Sequence, residues 1–336
     1  MIAKLSRFKL GESITFWDGR TRLSVAGVQD KLNILQLGDD IGFGEGQLCS
    51  NKIFKFETAK VPFIVINELF TMLLARHSGI DIPDIELRDY QGVRTFVVDR
   101  FDRRVQIDSD TGQTSVQRRH IIDGCQATNL PPSYKYERQH GDVGEGAMFR
   151  DGVSFVKLMA VKTINHQAYQ LKLIQWLTFN LINCNYDAHG KNISFFVTKQ
   201  GLKLTPFYDL INMEALLQSA VRENSGRELG INRCFAMSIG DHEQGARGHF
   251  EGPITAYMLA DFANYFGLSL ARMQLIMTRM IEAIIGAVDE SKAQVKEYAL
   301  SANEIEHVEL CASIVMRSAS DLKEQLVLLP QMKDLF

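Results

Sequence analysis

The stretch Asn185-Tyr186-Asp187-Ala188-His189-Gly190-Lys191-Asn192, with Asp209 seventeen residues beyond it, decides how this chain is read. Asp187 supplies a carboxylate, Asn192 a carboxamide five residues later, and Asp209 a second carboxylate. A phosphotransferase needs that polar set. One acid orients the attacking hydroxyl, while the amide oxygen and the other acid hold Mg²⁺ against the nucleotide phosphates. The flanks suit a site. Leu181 and Ile182 close an apolar run before the cluster, and Ile193-Ser194-Phe195-Phe196-Val197 is strand-like after it. The polar residues then lie on a loop between two rigid elements. A turn built from Asn, Asp and Gly for local reasons accounts for the same letters, so the rest of the chain has to separate the two readings.

Working outward, the chain changes character near its middle. Lys31–Leu37, Lys52–Phe56 and Val93–Val98 read as strands. Ile66, Leu69, Phe70, Leu73 and Leu74 recur at helical spacing, with Gly79 as a stop signal. From about residue 151 the apolar stripes have a period near 3.6: Phe155–Ile164, Tyr169–Cys184, Ile254–Phe266, Leu268–Val288 and Ile305–Leu329. The pattern predicts an α+β fold of two lobes. A strand-rich N-terminal lobe covers residues 1–130, a loop or hinge 131–152, and a mainly helical lobe with the catalytic loop 151–336. There is no internal repeat.

Three segments of the first lobe could serve a nucleotide. In Ser24-Val25-Ala26-Gly27-Val28-Gln29-Asp30-Lys31, the small Ala26 and Gly27 let backbone N–H groups approach a phosphate. The segment is neither a Walker sequence nor a GxGxxG, and an ordinary turn entering the next strand explains it as well. Lys55 alternates with Phe54 and Phe56 and so points to the other face of its strand. It is either a solvated lysine or a cation reaching phosphates, with Glu68 on the following helix as its partner. Asp99-Arg100-Phe101 ends a strand, and is either a charged strand end or a docking place for a nucleotide base.

Composition narrows the classes. The 336 residues are 46% hydrophobic and 23% charged, values of a globular protein with a sizeable core. Thirty-seven basic and forty acidic residues give a net charge of −3, which argues against a general polyanion-binding surface. Cys49, Cys125, Cys184, Cys234 and Cys311 are odd in number and form no CxxC pair, as expected of a reducing compartment. Residues 1–7 lack the apolar run of a signal peptide, and no segment reaches the ~18 consecutive apolar residues of a membrane span. A cytoplasmic protein without membrane contact is expected. His77, His120, His140, His166, His242 and His249 are scattered without metal-ligand spacing, and Met258, Met273, Met277 and Met280 read as core filling.

The order of the pieces is itself informative: small-residue loop, strand lysine, helix glutamate, strand into an interlobe connection, Asp…Asn loop, metal-binding Asp. It is the order of a bilobal kinase. The residues 24–31, Asn67-Glu68, Asp99-Arg100-Phe101-Asp102-Arg103, Asp123-Gly124-Cys125-Gln126-Ala127, Lys135-Tyr136-Glu137, 186–192 and Leu204-Thr205-Pro206-Phe207-Tyr208-Asp209 together resemble the HipA-like serine/threonine kinases of bacterial toxin–antitoxin systems.

That resemblance implies roles. Asp187 is similar to the family's catalytic aspartate, Asn192 and Asp209 to its Mg²⁺ ligands, and Lys55 to its ATP lysine. Ala26, Gly27, Val28, Gln29, Asp30 and Lys31 match the phosphate loop. Asp99, Arg100 and Phe101 match the adenine side, with Tyr208 also toward the nucleotide. His189, Gly190 and Lys191 line the catalytic loop. Ser24 matches a serine whose autophosphorylation expels the phosphate loop, and Ala26 stands where some relatives carry a second serine. Only twenty-three residues precede Ser24, so the chain resembles the short, HipT-like members that lack an N-terminal subdomain. The implied partners are a protein substrate such as an aminoacyl-tRNA synthetase, a HipB-like helix-turn-helix antitoxin that alone touches DNA, and a small HipS-like protein. A kinase-fold enzyme acting on a lipid or small molecule, or an inactive module working through a partner repressor, are the alternatives. The absence of a basic amphipathic segment weighs against lipid, and the intact Asp187, Asn192, Asp209 and Lys55 weigh against the inactive module.

Overall fold

A computed structural model describes residues 16–17, 20–21, 29–57, 61–90, 92–140, 145, 149–223, 233–239 and 254–335. Ser24, Ala26, Gly27 and Val28 of the expected phosphate loop lie outside the described residues.

β1 (Phe16–Trp17) pairs with β2 (Arg20–Thr21), and five antiparallel strands form the main sheet: β3 (Lys31–Leu37), β4 (Asp40–Gly42), β5 (Lys52–Phe56), β6 (Ile85–Tyr90) and β7 (Val93–Asp99), in the order β4-β3-β5-β7-β6. β8 (Arg103–Ile107) pairs with β9 (Thr114–Arg118). The central strand is β5, and its two-residue alternation divides its side chains. Phe54 and Phe56 join Leu32, Ile34, Val93 and Val97 in a small core on one face. Burying side chains of this kind stabilises by about 1.5–3 kcal/mol each. Lys55 takes the opposite face, where its register partners are Lys31 on β3 and Phe96 on β7. Pattern and pairing therefore turn two lysines toward the same side of the sheet.

The helix Ile64–His77 lies on that side, and every residue from Ile64 to Ala75 is buried. A helix that is apolar all round belongs inside a protein. Here it touches the sheet through β6 and β7 and the long helices Leu270–Lys296 and Ala302–Leu328. One core consequently runs from Val61 to Leu329, with Trp176, Phe179 and Phe262 among its buried aromatics and Met258, Met273, Met277 and Met280 filling it. The helix His166–Ile182 delivers the chain to residues 185–192. Beyond that loop, β11 (Ser194–Thr198) pairs with both β10 (Ile121–Asp123) and β12 (Gly201–Leu204). A separate hairpin, β8 with β9, stands beside it.

The five cysteines of the chain are free thiols. Among the described residues no helix is long and apolar enough to cross a membrane.

Buried polar contacts lock the Ile64–His77 helix to the segment after Asp209. Asn67 Oδ1 accepts from Asn212 N at 2.8 Å, and Asn67 Nδ2 donates to Asn212 O at 2.9 Å. The same amide lies 3.0 Å from His307 Nε2, while His307 Nδ1 is 2.8 Å from Ser219 Oγ. Burial drops the His307 imidazole to about 4, so the neutral ring can accept from Asn67 and donate to Ser219. Asn67→Ala is expected to cost about 1–3 kcal/mol for each buried group it strands. In urea unfolding its midpoint should fall with the slope unchanged.

Candidate active site

One ammonium group organises the site. Lys55 Nζ donates to Glu68 Oε1 and to Asp209 Oδ1, so the central strand, the buried helix and the turn after β12 share a single charge. Lys55 and Glu68 are buried, whereas 34% of the Asp209 side chain is exposed. Burial works against the charge on Lys55, and Asp209 and Glu68 overcome it, raising its pKa above the ordinary lysine value. Burial likewise opposes ionisation of Asp209, yet the Lys55 and Lys31 ammoniums hold its carboxyl down at about 2. Lys31 is also buried, and its pKa is lowered by burial and by Lys55, although Asp209 pulls the other way. Two cations on one sheet face, both near one partly open carboxylate, make a place where phosphate charge is welcome.

Asp209 is held at φ 54°, in the left-handed region that a non-glycine residue adopts at a cost. Its neighbour Tyr208 lies between Ser194 Oγ, at 2.6 Å, and Lys191 O, at 2.7 Å. That hydroxyl thus ties the segment before Asp209 to the loop 185–192. The rings of Tyr208 and Phe101 lie 5.6 Å apart, and Phe101 meets Phe196 edge-on at 5.9 Å. The Phe101 N–H makes no hydrogen bond among the described residues. Asp99 pairs instead with Lys52, and Arg100 makes a bidentate pair with Asp102 and bonds Asn33 at 2.9 Å. Of the three residues expected on the adenine side, Phe101 faces the aromatic cluster, and the other two side chains close the strand end.

Asp187 accepts a hydrogen bond from Tyr136 Oη at 2.6 Å on Oδ1, and its Oδ2 makes none among the described residues. His189 Nε2 lies 4.0 Å from the same Oδ1. The His189 N–H donates to Asn192 Oδ1 at 3.1 Å, which aims the amide oxygen and leaves it a second lone pair. Lys191 points away, to Asp123 Oδ2 at 2.8 Å. Gly190 is held by close packing: a Cβ there would come within 2.6 Å of the Val153 side chain, and one on Gly124 within 2.4 Å of Gly190 O. Gln29 is buried, with no bond to its Nε2 among the described residues, and Asp30 O accepts from Phe56 N at 2.9 Å.

The donor set suits magnesium. Asp209 has a carboxylate oxygen beyond the one bonded to Lys55, and Asn192 offers an oriented amide oxygen. A magnesium ion uses one or two protein oxygens and completes its shell with phosphates and water. Among the described residues there is no group of three or more His, Cys, Asp or Glu placed to hold a metal.

Two parts of this site carry no signal in the sequence. Lys135-Tyr136-Glu137 stands out as a motif, but nothing in it announces that Tyr136 reaches Asp187. Glu137 anchors the segment: it is buried, bonds Arg150 Nε at 2.7 Å and accepts from Ser238 N. The Asn67–His307 contacts had no signal beyond the Asn67-Glu68 pair.

The family model for the HipA-like C-terminal domain matches residues 23–290. The serine/threonine-protein kinase toxin HipA of Shewanella oneidensis is 40% identical over 278 residues, 82% of this chain and 58% of that relative. The chain thus spans a little over half of that relative's length. A solved Shewanella oneidensis HipA, in complex with HipB and operator DNA, superposes with a TM-score of 0.80 at 32% identity over 98% of this chain and 72% of that one. The proinflammatory kinase CtkA of Helicobacter pylori shares the fold alone, with a TM-score of 0.50 at 11% identity over 90% and 95% of the two chains.

The electrostatics of Asp209 give a signed prediction. A carboxyl held below its ordinary value near 4 adds stability above that pH, and the contribution is lost as pH falls toward 2. In Lys55→Met this acid-side loss should flatten, because Asp209 no longer has its main cation. The variant should also lose about 3–5 kcal/mol by stranding buried carboxylate charge. Urea midpoints at several pH values between 6 and 3 check both, and a wild-type acid slope retained in Lys55→Met would refute the assignment.

Proposed function

This chain belongs to the HipA-like family, and from that premise and the site geometry we propose that it is an ATP-dependent serine/threonine protein kinase. The observation that carries the proposal is the Lys55 ammonium shared by Glu68 and Asp209, with Asp187 and Asn192 on the adjoining loop. Kinases use this lysine–glutamate pair and this acid to place a triphosphate and its metal. Lys55 and Lys31 hold phosphate oxygens, aided by Ala26 through Asp30, with Gly190 and Lys191 supporting the catalytic loop. Phe101 and Tyr208 receive the base, the free Phe101 N–H serving as donor to its edge. Asp209 and Asn192 would hold Mg²⁺, which when bound would supply positive charge beside the phosphates. Asp187 Oδ2 accepts the substrate hydroxyl's proton as that oxygen attacks the γ-phosphorus. The bond from phosphorus to the bridging oxygen breaks, and ADP leaves with the electron pair.

The biological reading follows the family. The chain acts in the cytoplasm as the growth-inhibiting toxin of a toxin–antitoxin system. A translation component such as an aminoacyl-tRNA synthetase is its protein substrate, and a HipB-like helix-turn-helix antitoxin and a small HipS-like protein are its partners. DNA is reached through the antitoxin. The relative solved with HipB and operator DNA supports this assembly.

Labelled ATP and Mg²⁺ incubated with the protein and whole-cell lysate, read by phosphopeptide mass spectrometry, test the activity and name the target. Asp187→Asn should keep Mg-ATP affinity while losing about 100-fold or more in transfer, because the amide cannot take the proton. Asp209→Ala should weaken Mg-ATP binding itself in calorimetry, by removing a charged ligand. Unchanged transfer in the first, or unchanged affinity in the second, removes that residue from its role.

Regulation adds a further expectation. Phosphate on Ser24 would bring about −1.5 to −2 charges into the anion site and compete with ATP. The modification should appear in active protein and be absent from Asp187→Asn, and Ser24→Ala should be at least as toxic when expressed alone. Equal nucleotide affinity of Ser24-phosphorylated and unmodified protein would leave Ser24 an ordinary loop residue.

A further inference from the structure

Lys135 stands beside the Asp187 carboxylate, next to the imidazole of His189. Its Nζ is 2.9 Å from His189 Nε2, the ring nitrogen that lies 4.0 Å from Asp187 Oδ1. Ammonium and carboxylate thus flank one imidazole nitrogen. An ammonium can only donate, so Nε2 is the acceptor of the lysine's hydrogen bond, and that bond leaves the positive charge in place.

Three other lysines around the site are compensated differently. Lys55 is shared by two carboxylates, Lys191 is paired with Asp123, and Lys52 with Asp99. Lys135 makes no ion pair with a carboxylate among the described residues. Its other neighbour is the Tyr136 ring, with Nζ 4.6 Å from the centroid, an attraction that also leaves the charge in place.

Its position is built in. Lys135 O accepts from Gly190 N at 2.9 Å, so the lysine backbone is bonded to the catalytic loop itself. Tyr136 reaches Asp187, and Glu137 is pinned by Arg150 and Ser238. Three consecutive residues therefore hold one cation at a set place, with two of its three N–H donors left for another acceptor.

We propose that Lys135 is a catalytic residue that binds the γ-phosphoryl oxygens as they pass from ATP to the substrate hydroxyl. It stabilises charge spread over the equatorial oxygens, as a preorganised cation does in phosphoryl transfer. It takes no proton: the hydroxyl proton goes to Asp187, and ADP leaves with the electron pair. Lys55 and Lys31 grip the nucleotide before and after transfer, whereas Lys135 acts on the group in flight. This assignment rests on the kinase reading.

The test separates the two. Wild type, Lys135→Met and Asp187→Asn are assayed for phosphate incorporation from labelled Mg-ATP into the chain itself and into lysate proteins. Calorimetry then measures binding of Mg-ADP alone and of Mg-ADP with aluminium fluoride, a mimic of the transferring phosphoryl. In Lys135→Met, incorporation should fall about 100- to 1,000-fold, the usual loss for one preorganised donor. Mg-ADP affinity should stay within about twofold, while the gain from aluminium fluoride disappears. Retained Mg-ADP binding also shows that the variant is folded. Lys135→Met with wild-type incorporation, or with Mg-ADP affinity lost alongside activity, overturns the role for Lys135 and leaves the kinase reading intact. A wild type that transfers no phosphate overturns the kinase reading, and the role of Lys135 with it.

Discussion

The Lys55 ammonium, divided between Glu68 and Asp209, is the constraint on which the rest depends. It joins the central strand, the all-buried helix and the turn after β12 through one charge. A buried ion pair contributes little net stability, since desolvation offsets its Coulombic gain. Its effect is geometric. It fixes one oxygen of Asp209, whose backbone stands at a left-handed angle, and leaves the other oxygen to a further partner. The contacts of Asn67, the residue before Glu68, serve the same end, because they keep the helix carrying Glu68 at a fixed distance from Asn212, three residues beyond Asp209.

The position of the loop on the other side comes from packing and from the neighbouring segment 135–137. Gly190 has no room for a side chain against Val153, and Gly124 has none against Gly190 O. The loop is therefore pressed between the β10–β11 pair and the start of the helical lobe. Phosphoryl transfer asks a protein mainly for positioning and for charge placed in advance. Rigid contacts of this sort, with Tyr136 fixing one oxygen of Asp187, supply the positioning.

The two structural relatives separate fold from function. A chain with 11% identity keeps the architecture, so the architecture tolerates nearly complete replacement of its residues. Function then has to be argued from the site. Lys55, Glu68, Asp187, Asn192 and Asp209 come from four separate elements, and their convergence says more than the outline they sit in.

Much of this was legible in the sequence because it is local. Alternation marked β3, β5 and β7, and an apolar stripe marked the Ile64–His77 helix. Other elements depend on distant partners. The helical reading of 155–164 stops at Met159, because Thr163 bridges to Leu202 and Ile164 N donates to Leu202 O. The reading of 268–288 runs on to Lys296, since Val288 and Val295 continue the buried face. The helix Met213–Glu223 and strands β10 and β12 are too short or too mixed to show a period of their own. The sequence by itself determined which residues could do chemistry, and that Lys55 turns from the phenylalanine face, because strand alternation is a property of neighbours. Only the tertiary structure decided that Lys191 leaves the site for Asp123 while Lys135 enters it. Those contacts span 68 and 54 residues, and local order carries no signal over such separations.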